Sequence, residues 1–300
     1  MVKIDWDLID TLQKIAKNFQ PQLQKKVKNG LKELGAGREL KLLNHIFKHY
    51  YQKKGLGRWY DPYHVLLSTG FAIQLVKIDK RVSSLIVPAI ILHEVGYCAL
   101  GNDQDWRTIH SRITHMQEGA AISAKILASL GDYNPKEIGI IIGMIATHDN
   151  GYLGIPEKDP QRLSLRDADT IFVMSFISFY KDWFSIMAKQ ESFSLSDLLT
   201  ARQTSFYNKP SPNFSGSKGS MAKEDKSSSS SSPRLPNNGG QGSIIEQRRH
   251  LPQAAMAKQW MARQFEVRQK EIQDNIIKDK DTFWQYAVRY IRDEIESGRG

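Results

Sequence analysis

Three hundred residues, 40% of them hydrophobic and 25% charged, are enough for one large domain with appendages and a sizeable core. The single cysteine, Cys98, excludes an internal disulfide and any cysteine-based zinc cage, so a bound metal would take nitrogen and oxygen ligands. The net charge of +10 belongs to the flanks: residues 1–60 hold 13 Lys/Arg against 5 Asp/Glu and residues 209–300 hold 16 against 11, while 61–208 hold 13 against 16.

Along the chain the period is helical. Leu8, Leu12, Ile15 and Phe19 share one stripe, and Leu40, Leu43, Phe47 and Tyr50 another, across an N-terminal helical region (1–56). No alternating strands and no βαβ rhythm appear, so an all-α fold is expected. Basic flanks can attract nucleic acid or a membrane surface. Without an Arg/aromatic cluster for base readout, a lysine-rich solvated helix face is the favoured reading. The apolar runs LIVPAIIL (85–92) and IGIIIGMIA (138–146) are about half of what spans a bilayer. The N-terminus MVKIDWDLID carries acids where a signal peptide has a positive segment. A cytoplasmic protein without a transmembrane segment is therefore expected.

Between 57 and 208 the capping signals mark five helices. Asp61-Pro62 reads as N-cap and first residue, placing His64 in the first turn. LIVPAIIL tolerates Pro88 near its start and delivers His93-Glu94 in its last turn before Gly96. Thr114 and Gln117 resemble a capping box that makes His115 the first helical residue, with Gly131 at the end. Asn134-Pro135 with Glu137 opens a helix that closes at His148. Ser164 and Asp167 can cap the helix that carries Asp169 and continues through TIFVMSFISFY. Residues 209–243, rich in Ser, Pro, Gly and Asn, cannot bury enough apolar surface to offset ordering entropy and are expected to be a disordered linker. The helical pattern resumes in 244–297, where Ala257, Met261, Phe265, Ile272 and Ile276 form one stripe and Trp284, Val288 and Ile291 another. Those stripes are expected to pack on the main domain.

A histidine beside a carboxylate, closing an apolar helix, is unsatisfied unless something polar or cationic sits there. Four of the eight histidines, with two carboxylates, fall near helix ends, where adjacent antiparallel helices converge. His110 competes with His115, which is preferred for its register and for Gly119 four residues later. Asp149 could orient an imidazole or be a solvated helix-end residue. His45 and His49 are spaced i,i+4 but have no third ligand nearby.

The ordered set resembles the HD-domain superfamily of metal-dependent phosphohydrolases over roughly residues 57–180. YHVLLSTGFAIQL is similar to its first histidine helix, ILHEVGY to its His-Asp helix and RDADTIF to its final aspartate segment, which selects Asp169 over Asp167. THMQEGAAISAKIL and IIGMIATHDN are similar to the further histidine helices of binuclear members and supply His115 and His148. ARQTSFYNKP and QAAMAKQWMARQFEVRQKEI resemble, more weakly, a C-terminal helical part of some HD proteins. Glu94 stands where the family has Asp; its extra methylene moves the carboxylate about 1.5 Å further out.

The resemblance implies an HD-type helical bundle and one or two divalent ions. His64, His93 and Asp169 would hold one, His115 and His148 the other, with Glu94 between them; Glu94 and Asp169 would be the catalytic carboxylates. Such a ligand set suits Mn, Fe, Zn, Ni or Mg, and four imidazoles favour the transition metals. The implied reaction is hydrolysis of a phosphate ester or anhydride of a nucleotide or related small molecule by a metal-activated water. Arg107, Arg112 and Lys125 lie near the third ligand and are candidates for holding phosphate oxygens, beside their ordinary reading as surface charges. The same residues also fit a catalytically degenerate HD scaffold binding nucleotide or a partner, and a di-iron oxygenase.

Overall fold

The computed structural model describes residues 7–51, 62–100, 108–151, 153, 155–187, 194–207 and 254–296. Among them every regular element is a helix, so the fold is all-α. Arg107 and the linker 209–243 lie outside the described residues.

The first helix, α1 (Asp7–Glu33), buries Leu12, Ile15, Ala16, Phe19, Leu23, Val27 and Leu31 at the three- and four-residue spacing of a single apolar face. Gly35, at φ 66°, turns the chain into α2 (Gly37–Ile46), which runs on into a π-helical turn, Phe47–Tyr51. The next two helices are the centre of the core. In α3 (Pro62–Ile78) buried residues occupy most of the circumference, and all seven residues of α4 (Ile86–Leu92) are buried. A helix apolar all round belongs inside, and α3 packs on both α1 and α4.

An antiparallel pair, α5 (Ile109–Leu130) and α6 (Pro135–Ile145), closes one side. Gly131 at φ 71° ends α5, and Asn134 with Glu137 forms the expected capping box of α6. Then follow α7 (Pro160–Thr170), α8 (Phe176–Met187) and α9 (Leu195–Tyr207). The chain returns as α10 (Ala255–Gln273), against α9 and the 3-10 turn Ile171–Met174, and α11 (Lys280–Glu296), against α1 and α8. Trp260 of α10 meets Phe71 of α3 edge-on, ring centroids 4.7 Å apart. Deeper in this return, the Arg268 guanidinium lies among the rings of Phe176, Tyr180 and Tyr290 and pairs with Glu271 at 2.9 Å. Glu271 also accepts hydrogen bonds from the Tyr180 and Tyr286 hydroxyls. No helix among the described residues is long and apolar enough to cross a membrane.

Several helix boundaries differ from the expected ones, among them the end of α6, which stops at Ile145 rather than at His148. The cap of α5 is Thr108, whose side chain accepts from the Ser111 N–H, not Thr114. Starting there puts Ser111, Arg112, His115, Met116 and Gly119 on one buried face. The cap of α7 is Asp159, followed by Pro160, so Ser164 and Asp167 are interior. The expected continuous helix through TIFVMSFISFY is broken at Ser175, whose ψ of 153° lies outside the helical region. Finally, α4 closes at Leu92 with His93 as its C-cap, and Gly96 lies inside a 3-10 turn, Val95–Ala99. Gly96 is there for contact: a Cβ on it would lie 1.8 Å from the His115 carbonyl oxygen and 2.6 Å from the Gly119 nitrogen.

Candidate metal centre

The ends of four helices, with the second turn of α5, converge on one point. His64 is in the first turn of α3, His93 caps α4 and Glu94 follows it. His115 projects from the second turn of α5, and the close Gly96–α5 approach brings that turn against the residues after α4. His148 opens a 3-10 turn just after α6, and Asp169 stands in the last turn of α7. The six residues fall into two groups, His64–His93–Glu94–Asp169 and Glu94–His115–His148. Within each group one ligand atom per residue lies within 4.8 Å of every other, and Glu94 belongs to both.

The contacts are close. His64 Nε2 is 2.7 Å from Asp169 Oδ1 and 3.1 Å from His93 Nε2. His93 Nε2 is 3.1 Å from Glu94 Oε1 and 3.3 Å from Asp169 Oδ1. In the second group His115 Nε2 and His148 Nε2 are 3.1 Å apart. His93 and His115 are fully buried and His148 nearly so, whereas His64, Glu94 and Asp169 keep 18%, 13% and 13% of their side-chain surface. Solvent meets the cluster on the first group's side.

Hydrogen bonds fix which ring nitrogens carry protons. A carbonyl oxygen only accepts, so His93 Nδ1–H donates to Ile90 O and His148 Nδ1–H to Ile145 O, each at 2.7 Å, and His115 Nδ1–H donates to Ser111 O at 3.3 Å. For neutral rings the Nε2 atoms of all three are then bare lone pairs. Those of His115 and His148 face each other at a distance where two lone pairs repel, unless a proton or a cation lies between them. Two imidazole nitrogens held by one ion at about 2.1 Å are separated by about 3.0 Å at a right angle and about 3.4 Å at a tetrahedral one. The observed 3.1 Å lies in that interval. The donor set is nitrogen and oxygen without sulfur, and the residues fit a divalent ion.

The charges agree with the geometry. Burial presses His93 toward its neutral form, yet the carboxylates of Glu94 and Asp169 outweigh it and hold its pKa well above the ordinary imidazole value. Burial raises the Glu94 carboxyl, but His93 beside it brings it down to about 2. Asp169 is likewise held well below the usual carboxylate range by His93 and His64 against the effect of burial. His115 shifts down, chiefly through burial. Two ionised carboxylates among buried imidazoles make a site that attracts positive charge. An excess of Mn²⁺ or Zn²⁺ should therefore raise the melting temperature, by about 3 kcal/mol of stabilisation at a hundred times the dissociation constant. Scanning fluorimetry with and without chelator reads it; identical melts would exclude a bound ion.

The remaining candidates sort by position. His110 is exposed on α5, as the preference for His115 required. Lys125 is exposed ten residues beyond His115, about 15 Å along the helix. Arg112 is not a surface charge: it is buried and donates to Asp149 Oδ2 at 2.9 Å. Asp149 orients no imidazole through Nδ1, since those nitrogens donate to backbone carbonyls; its Oδ2 is 3.6 Å from His115 Nε2. His45 and His49 pack against each other at 4.6 Å, outside both groups. Two neighbours went unread in the sequence. Tyr97 stacks on His115, centroids 4.5 Å apart and 6° from parallel, and Phe172 lies 4.2 Å from the His64 ring. Tyr97 becomes visible only once 95–99 is known to turn as a 3-10 helix.

Comparison with protein-family models, with curated proteins and with solved structures returns no match to this chain.

Proposed function

We propose that the chain is an HD-type metal-dependent phosphohydrolase, cleaving a phosphate ester or anhydride of a nucleotide or related small molecule. The observation that carries this reading is the pair of ligand groups sharing Glu94, in the order along the chain that the resemblance implies. A divalent ion held there supplies an acidified water at neutral pH and offsets charge building on a phosphoryl group.

The chain's own residues do the rest. Backbone carbonyls of Ile90, Ser111 and Ile145 hold three imidazoles with Nε2 inward, so no reorientation is needed on binding. Glu94, Asp169 and His64 form the open side, where a phosphate would approach. Arg112, committed to Asp149, braces the closed side rather than gripping substrate.

The test is metal analysis of the purified protein, then phosphate release from a panel of nucleotides and phosphoesters with Mn²⁺ and other divalent ions. Changing groups that merely support a ligand costs about 10–100-fold, so His93→Ala is expected to lower turnover at least ~100-fold. A metal-free protein, or a loaded one inert across the panel, would sink the proposal. The presence of Glu94 where the family has Asp favours a second reading, a degenerate scaffold that binds nucleotide or a partner without turnover. Glu94→Asp separates the two: activity that rises greatly marks the native chain as the degenerate form, and activity that falls marks Glu94 as the working ligand.

A further inference from the structure

Two aspartates near the end of α7 face different ways. Successive residues turn about 100° round a helix, so Asp167 and Asp169 are about 200° apart. Asp169 meets the imidazoles of His64 and His93. Asp167, only 2% exposed, accepts a hydrogen bond from the backbone N–H of Ala254, 2.7 Å from its Oδ2. Ala254 is the N-cap residue of α10 and has no capping side chain of its own. The helix that returns after residue 253 thus takes a carboxylate from the helix that carries a metal-ligand candidate, where negative charge also suits the positive end of its dipole.

The same helix braces His64. Trp260 of α10 packs edge-on against Phe71 of α3, the helix bearing His64. α10 also packs on the turn Ile171–Met174, whose Phe172 ring lies against the His64 imidazole. Both members of the 2.7 Å His64–Asp169 contact are therefore backed by α10. His115 and His148 stand on α5 and the turn after α6.

We propose that Asp167 is a positioning residue, and that its bond to Ala254 makes the docking of α10 set the divalent-cation affinity of the His64–His93–Glu94–Asp169 group. The proposal rests on reading that cluster as a metal centre. It couples the centre to a segment 87 residues away in sequence.

Mn²⁺ titrations of the full chain by calorimetry test it, well below the melting temperature. The binding step that belongs to the four-residue group is the one lost in His64→Ala. Asp167→Ala removes the acceptor. Ala254→Pro removes the donor at a backbone whose φ of −70° proline adopts, and sets its ring carbon where the amide hydrogen met the carboxylate, so it breaks the same bond from the other side. Each is expected to weaken that step by about 10–100-fold. The double variant should be no worse than either single one, because both break the same bond. Asp167→Asn, which keeps an acceptor oxygen, should retain most of the affinity. Variants that melt earlier yet bind Mn²⁺ as the parent does would show a structural role only and overturn the inference alone. A parent protein that takes up no Mn²⁺ would overturn the metal reading, and the inference with it.

Discussion

Gly96→Ala is expected to be among the most damaging single-methyl changes in this protein. The added Cβ would lie 1.8 Å from the His115 carbonyl oxygen and within 3 Å of the Gly119 nitrogen, all of it backbone. Backbone cannot swing aside as a side chain can. Either the 3-10 turn Val95–Ala99 or the middle of α5 must retreat, and His115 sits at the contact. Overpacking of a core costs about 1–3 kcal/mol and occasionally more; a clash this deep belongs at or above the upper end, about 3 kcal/mol. The midpoint of chemical unfolding measures it. Gly139→Ala on α6 is the control, because a Cβ there meets nothing within 4 Å. A helical glycine replaced by alanine should gain up to about 1 kcal/mol. If Gly96→Ala unfolds at the parent midpoint, the close approach does not exist. Metal uptake gives a second readout, since displacement of α5 separates His115 from His148.

The second large effect concerns Glu294, on α11 and remote from the centre. Its carboxylate is buried, and neither oxygen has a hydrogen-bond partner among the protein atoms. Burial raises its pKa, Glu271 adds to that, and Arg268 and Lys26 oppose it, leaving a value of about 7 against 4.5 for an ordinary glutamate. Tyr290 of the same helix also feels its charge. Because the folded value is the higher one, the folded state binds the extra proton between the two. Stability is then full below pH 4.5, declines as pH rises, and levels off above about 7. At 1.36 kcal/mol per pKa unit the loss is about 3 kcal/mol. Glu294→Gln cannot ionise, so it should flatten this slope and be the more stable protein at pH 8 by a similar amount. Urea unfolding of both proteins at pH 5, 6, 7 and 8 decides it. Parallel curves for the two would show that Glu294 stays ionised in the folded state.

The candidate centre was legible because its ligands are polar residues placed where the local sequence predicts helix ends. LIVPAIIL before His93 and IGIIIGMIA before His148 are apolar runs long enough to be buried helices, and each releases a histidine just past its end. The structure brings all six residues together and shows both of those rings bonded to the carbonyl three residues back. What could not be read depends on contacts distant in sequence. Gly96 looks like a helix stop, and only the position of α5 reveals that it is a point of contact. Asp167 looks like a cap for its own helix; it sits at the start of another, 87 residues on. Arg112 looks like a surface charge until α5 begins at Thr108, which turns it inward toward Asp149. The same six-residue offset explains why His115 is well inside α5 rather than at its beginning.

The shared carboxylate also says how the centre can be taken apart. Removing His148 or His115 leaves the four-residue group whole, and removing His64 leaves the other group whole. Removing Glu94 takes a ligand from both at once, leaving His64, His93 and Asp169 in one and only His115 and His148 in the other. A designer seeking a variant that keeps only the four-residue group would retain Glu94 and edit the closed side. A designer seeking two independently adjustable sites would first have to divide the work of that one side chain between two.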